Sequence, residues 1–89
     1  MMDDLLKQAI AAFEAGNFTA CELALDEALK AEPNHVSALQ IYGLVKASQG
    51  QHQAAVSFLQ QAVQIAPQDA GLQFNLAKAL SESGDYIES

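Results

Sequence analysis

The chain has 89 residues, 51% hydrophobic, 17% charged and 7% aromatic, which is room for one small domain with a thin core. Four lysines stand against 11 acids, a net charge of −7 with no arginine, which argues against a phosphate-tracking nucleic-acid face and against an anionic membrane surface. The lone Cys21, the acidic start Met1-Met2-Asp3-Asp4 and a longest apolar run of only five residues (Ala9 to Phe13) point to a cytoplasmic domain with no disulfide, secretory leader or membrane span.

The first predicted element runs from Asp3 to Ala15, where Leu5, Leu6, Ala9, Ile10, Ala12 and Phe13 recur at helical spacing. Gly16 ends it, because glycine enters the left-handed conformation of a helix stop without steric cost. A second helix is expected over about Thr19 to Ala31 on Leu23, Ala24, Leu25, Ala28 and Leu29, stopped by Pro33. The pattern then returns: a helix from about Ser37 to Ser48, Gly50, a helix from about Gln53 to Ala66, and Pro67. A fifth helix is expected from Ala70 to Ser83, followed by Gly84 and a new helix start at Asp85, with Glu88 at capping-box spacing. Abundant alanine and the absence of alternating β-branched runs leave no strand signal.

The punctuation is periodic. Gly16, Gly50 and Gly84 stand 34 residues apart, as do Pro33 and Pro67, the only two prolines. Phe18, His52 and Tyr86 form one column on this period, and Cys21, Ala55 and Ser89 a column of small residues. Small side chains at Ala9, Cys21, Ala28, Gly43, Ala55, Ala62 and Ala77 let helix backbones approach; Leu25, Tyr42, Leu59, Leu76 and Leu80 fill the gaps between them. One unit covers about residues 2–35, a second about 36–69, and a truncated third about 70–89, together a single domain of stacked hairpins.

This period, with paired helices, glycine within and proline between units, resembles the tetratricopeptide repeat. The second unit shows it best, with Leu39, Tyr42-Gly43, Ala55, Leu59 and Pro67; the chain departs from the pattern in lacking tryptophan and in carrying Gln8 and Lys46 where apolar or aromatic residues are usual. The resemblance implies an all-α, right-handed solenoid of antiparallel hairpins, five helices plus a C-terminal stub. It also implies a non-enzymatic scaffold whose first-type helices line a concave groove for a peptide or helix of a protein partner. Carried onto this chain, the groove candidates are Leu6, Ile10 and Phe13, flanked by Lys7 and Glu14; Gln40 and Leu44, with Ala47 and Ser48; and Phe74 and Lys78, with Asn75 and Ser81. One subgroup of the family clamps a terminal carboxylate with basic and amide side chains. Here Leu6, Ile10, Leu44 and Phe74 hold those places and cannot supply charge-assisted donors. The expected groove is therefore apolar with a cationic edge at Lys78, suited to an amphipathic helix or apolar segment. The same apolar spacing also fits a packed core, and Phe13 and Phe74 stand open between the two readings.

Charge is uneven. Residues 1–34 hold seven acids and two lysines, residues 35–68 hold only Lys46, and residues 69–89 hold four acids and Lys78. Glu22, Asp26 and Glu27 read as a solvated outer face, or else as a docking patch for a basic partner. No catalytic, metal or cofactor site is expected. Cys21 sits in a small, packed column, His35 and His52 lack a second ligand at metal spacing, and there is no phosphate-binding loop. His52 is expected to pack as an aromatic would.

The third unit stops in mid-pattern, leaving Leu72, Phe74, Leu76 and Leu80 without a covering helix. The expectation is a fragment of a longer protein, with self-association into a homodimer through that end as the alternative. Ala38–Gly43 and Asn75–Leu80 also look like N-terminal repeats of bacterial multidomain proteins, which often precede a transferase domain, protein-modifying glycosyltransferases included.

Overall fold

The structure, a computed structural model, describes residues 2–83. Five helices follow in order: α1 (Met2–Glu14), α2 (Phe18–Ala31), α3 (Val36–Ser48), α4 (His52–Ile65) and α5 (Ala70–Ser83). Each lies within a residue or two of its predicted span. The helix expected from Asp85 lies outside the described residues.

The turns repeat as the sequence does. Gly16 and Gly50 adopt φ of +79° and +78°. After each, the chain closes with the same six-to-one hydrogen bond, Asn17 N–H to Ala12 O at 2.8 Å and Gln51 N–H to Lys46 O at 2.9 Å. Helix starts are capped by side chains that sequence reasoning did not assign. Asn17 Oδ1 accepts from Ala20 N–H at 3.2 Å. His35 Nδ1 accepts from Ala38 N–H, also at 3.2 Å. Asp69, in the column of His35, accepts from Leu72 N–H at the same distance. His35 is thus a cap.

Helices adjacent in sequence pack as antiparallel neighbours, and α3 also touches both α1 and α5. Hence α1, α3 and α5 form one layer, α2 and α4 the other. Ala9, Cys21, Ala24, Leu25, Ala28, Ala38, Tyr42 and Val45 form the core where α1, α2 and α3 meet. Leu39, Ala62 and Leu72 join α3, α4 and α5, while Ala55, Val56, Leu59 and Ala79 join α4 to α5. Full burial of a leucine such as Leu25, Leu39, Leu59 or Leu72 contributes roughly 1.5–3 kcal/mol relative to exposure.

Two expectations about α5 are corrected. Ala77 is exposed and Ala79 is the buried small residue. Ala9 and Gly43 face the second helix of their own unit, whereas among the described residues Ala77 has no such helix to face. Leu72 is fully buried and Leu76 and Leu80 are half-buried against the α4–α5 core, so the end is less apolar than its sequence suggests. Phe74, at 68% exposure, is the large apolar side chain that stays in solvent there.

Candidate functional site

A cleft of about 400 Å³ opens on the layer formed by α1, α3 and α5. Phe13 closes one side, Leu44 and Ala47 of α3 and Ala79 of α5 form the walls, and Leu59 of α4 reaches through from the other layer as the floor. Ser48, Asn75, Lys78 and Glu82 supply its polar lip. The floor is fixed by Gly43. A methyl group there would lie 2.7 Å from Leu59 Cγ, so the absence of a side chain is what lets α3 and α4 close on Leu59.

The seven groove candidates separate into three groups. Phe13, Leu44 and Lys78 come together in the cleft, beside Ala47, Ser48 and Asn75. Ile10 and Phe74, 43% and 68% exposed, flank it on the same layer without lining it. Leu6 and Gln40 are half-buried, and Leu6 packs onto the α1–α2–α3 core. Phe13 belongs to both readings of its spacing, since it lines the cleft and also meets Phe18 with ring centroids 5.9 Å apart.

Electrostatics around the cleft are simple. Glu82 Oε1 stands 3.5 Å from His52 Nδ1, a buried nitrogen with no hydrogen bond. His52 is half-buried, as Phe18 is in the same column, with a carboxylate beside its ring. Lys78, one helical turn before Glu82, has no ion-pair partner among the described residues.

The acidic group on α2 is not one open patch. Tyr42 O–H donates to Asp26 Oδ1 at 2.8 Å, and Lys46 Nζ pairs with Glu22 Oε2 at 3.3 Å, leaving Glu27 in solvent. Tyr42 also stacks on Phe58 at 4.3 Å, with Lys46 5.6 Å from its ring centre. Burial, followed by the hydrogen bond to Asp26 and its charge, raises the Tyr42 pKa. Burial, with a smaller contribution from Glu22, raises that of Cys21, so this thiol stays protonated and inert at neutral pH. Glu22 and Asp26 are one turn apart, as are Tyr42 and Lys46, so the two pairs meet rung on rung between helices. Lys46, a departure from the family pattern, gains its partner there.

Among the described residues no group of three or more His, Cys, Asp or Glu is placed to hold a metal, and no helix is long and apolar enough to cross a membrane. Helical hairpins stacked in two layers, with an open face on the first-type helices, define a repeat scaffold of the protein-binding kind. The tetratricopeptide repeat family model matches residues 6–70, and the chain belongs to that family. None of the curated proteins matches it. Among solved structures it is similar to a mutant O-GlcNAc transferase from Thermobaculum terrenum, with a TM-score of 0.84 and 30% identity. That likeness covers 89% of this chain and 15% of the transferase.

Proposed function

We propose that this chain is a non-enzymatic interaction module that seats an apolar peptide segment or amphipathic helix of a protein partner on the α1–α3–α5 layer. The cleft carries this reading: it brings Phe13, Leu44 and Lys78 to one place, over an apolar floor at Leu59. Clefts of roughly 300–1,000 Å³ lined by apolar side chains with a few polar groups are where ligands are held. The exposed Phe74 and Ile10 extend the apolar surface beyond the cleft, as a helix laid across several first-type helices requires. A cytoplasmic setting suits the reduced, buried thiol of Cys21.

The test is selection of binders from a random peptide library against the purified chain, followed by their titration on Leu44→Asp and Phe74→Asp variants. Binding falls on both while far-ultraviolet circular dichroism keeps its helical signal. Binders indifferent to both substitutions would remove the reading. A second reading, supported by the similarity to a transferase of which this chain spans 15%, is that the module is the arm of a larger enzyme and presents its protein substrates. Sequencing the gene beyond the Ser89 codon decides it: a catalytic domain downstream supports the arm, a stop codon ends it.

A further inference from the structure

The lip of the cleft carries one lysine and one glutamate, and they are not equivalent. Glu82 already faces a neighbour, His52 Nδ1 at 3.5 Å. Lys78 lies on the exposed side of α5, lines the cleft, and has no ion-pair partner among the described residues. An ammonium group at the mouth of an apolar depression is screened less than one on an open surface, so a carboxylate brought to it gains more than an ordinary surface pair does. Below it, Phe13, Leu44, Ala47, Leu59 and Ala79 offer apolar walls to a bulky side chain.

We infer that the cleft selects a protein segment carrying a bulky apolar side chain with an aspartate or glutamate one helical turn away, the apolar group entering the cleft and the carboxylate pairing with Lys78. Lys78 is then the specificity-determining residue of the module. This rests on the reading of the α1–α3–α5 layer as the binding face. It runs against the chain's overall charge of −7, which by itself attracts basic partners. The sign of the preference therefore separates a local contact at Lys78 from the general field. The carboxylate belongs to a side chain inside the segment, since Leu6, Ile10, Leu44 and Phe74 give Lys78 none of the additional donors that a terminal carboxylate would need.

Three helix-forming, end-blocked and amidated peptides test this, each labelled with a fluorophore and titrated by anisotropy. The first has a central phenylalanine with aspartate four residues on, the second has lysine in place of the aspartate, and the third has alanine in place of the phenylalanine. The aspartate peptide should bind the native chain about three- to ten-fold more tightly than the lysine peptide. That ratio should invert on Lys78→Glu and shrink at about 1 M salt, where the screening length is about 3 Å. The alanine peptide should bind worst on every variant. Glu27→Gln, exposed on α2 and outside the cleft, should leave the preference for aspartate intact. Equal binding of the first two peptides, or tighter binding of the lysine peptide to the native chain, overturns the inference, as does failure of the aspartate peptide to bind. If the peptides bind without charge preference but lose affinity on Leu44→Asp, the lysine role falls and the groove stands. Binding indifferent to Leu44→Asp removes both. Lys78 is exposed, so its variants fold, and their circular dichroism spectra check that they do.

Discussion

Gly43→Ala sets two known effects against each other at a single atom. Gly43 lies inside α3, where replacing glycine by alanine ordinarily favours a helix by about 1 kcal/mol. The added methyl would stand 2.7 Å from Leu59 Cγ and 3.0 Å from its Cδ2, with Ala55 O at 3.4 Å. Leu59 is 1% exposed, and the atom struck is the branch point of its side chain, so it cannot relieve the contact by turning a chain end. Overpacking of this kind costs typically about 1–3 kcal/mol. The net expectation is a loss of about 1 kcal/mol, which in a domain this small lowers Tm by roughly 4–8 °C. Urea titration followed by far-ultraviolet circular dichroism measures it. Leu59→Ala alone should cost about 2–5 kcal/mol, and the double variant clearly less than the sum of the two, because the methyl then occupies the space that leucine leaves. Gly43→Ala also pushes Leu59 toward the cleft it floors, so peptide affinity should fall with stability. A raised Tm in the single variant, or strict additivity in the double, would refute the close-approach argument and leave helix propensity as the only effect at this position.

Gly50→Val and Gly16→Val should each destabilise by roughly 1–2 kcal/mol, since both glycines hold positive φ, with no neighbour within 4 Å to add a clash. Similar urea midpoints for the two would show that the turns are energetically as well as geometrically equivalent, and a loss at one position alone would contradict it. Stability should also fall at alkaline pH. Folding favours the protonated forms of Cys21 and Tyr42, whose pKa values are raised chiefly by burial. Their contribution is therefore fully present below the unfolded-state values, about 8.5 and about 10, and is lost as pH rises through the higher folded-state ones. In urea midpoints taken from about pH 7 to about pH 11, Cys21→Ala should flatten the first part of the decline and Tyr42→Phe the later part. A midpoint independent of pH in the native chain would count against both.

The fold was legible because its signals repeat. Gly16 and Gly50, Pro33 and Pro67, and the small residues Cys21 and Ala55 occupy matching places on one period, so a weak cue at one position is corroborated 34 residues away. The caps were harder, since Asn17, His35 and Asp69 are three residue types doing the same thing: each offers an acceptor to the N–H three residues on. Contacts between layers lay furthest from reach. That Glu22 meets Lys46 and Asp26 meets Tyr42 depends on how α2 is rotated against α3, and hydrophobic spacing constrains that angle only loosely. The groove candidates were partly legible for the same reason. Periodicity places Leu6 and Phe74 on one face, but only packing decides that Leu6 sinks toward the core while Phe74 stays in solvent.

The candidate site arises where the period is broken, not where it is kept. Phe13, Ala47 and Ser81 occupy one column of the repeat, and Ile10, Leu44 and Lys78 another. In the first unit Phe13 is large enough to pack against Phe18 and onto the α1–α2–α3 core. In the second unit Ala47 leaves that volume empty, and α5 supplies only Ala79 and the lip residues Asn75, Lys78 and Glu82 around it. A larger side chain at position 47 would project into the cleft that Ala47 lines. The other column changes from isoleucine to leucine to lysine along the stack, which sets the cation at the mouth of the void and keeps aliphatic side chains behind it. A strictly repeated sequence would pack every junction alike and offer a partner a uniform surface. Two departures from the repeat, a small residue at 47 and a charged one at 78, give this junction a shape and a charge that the first junction lacks.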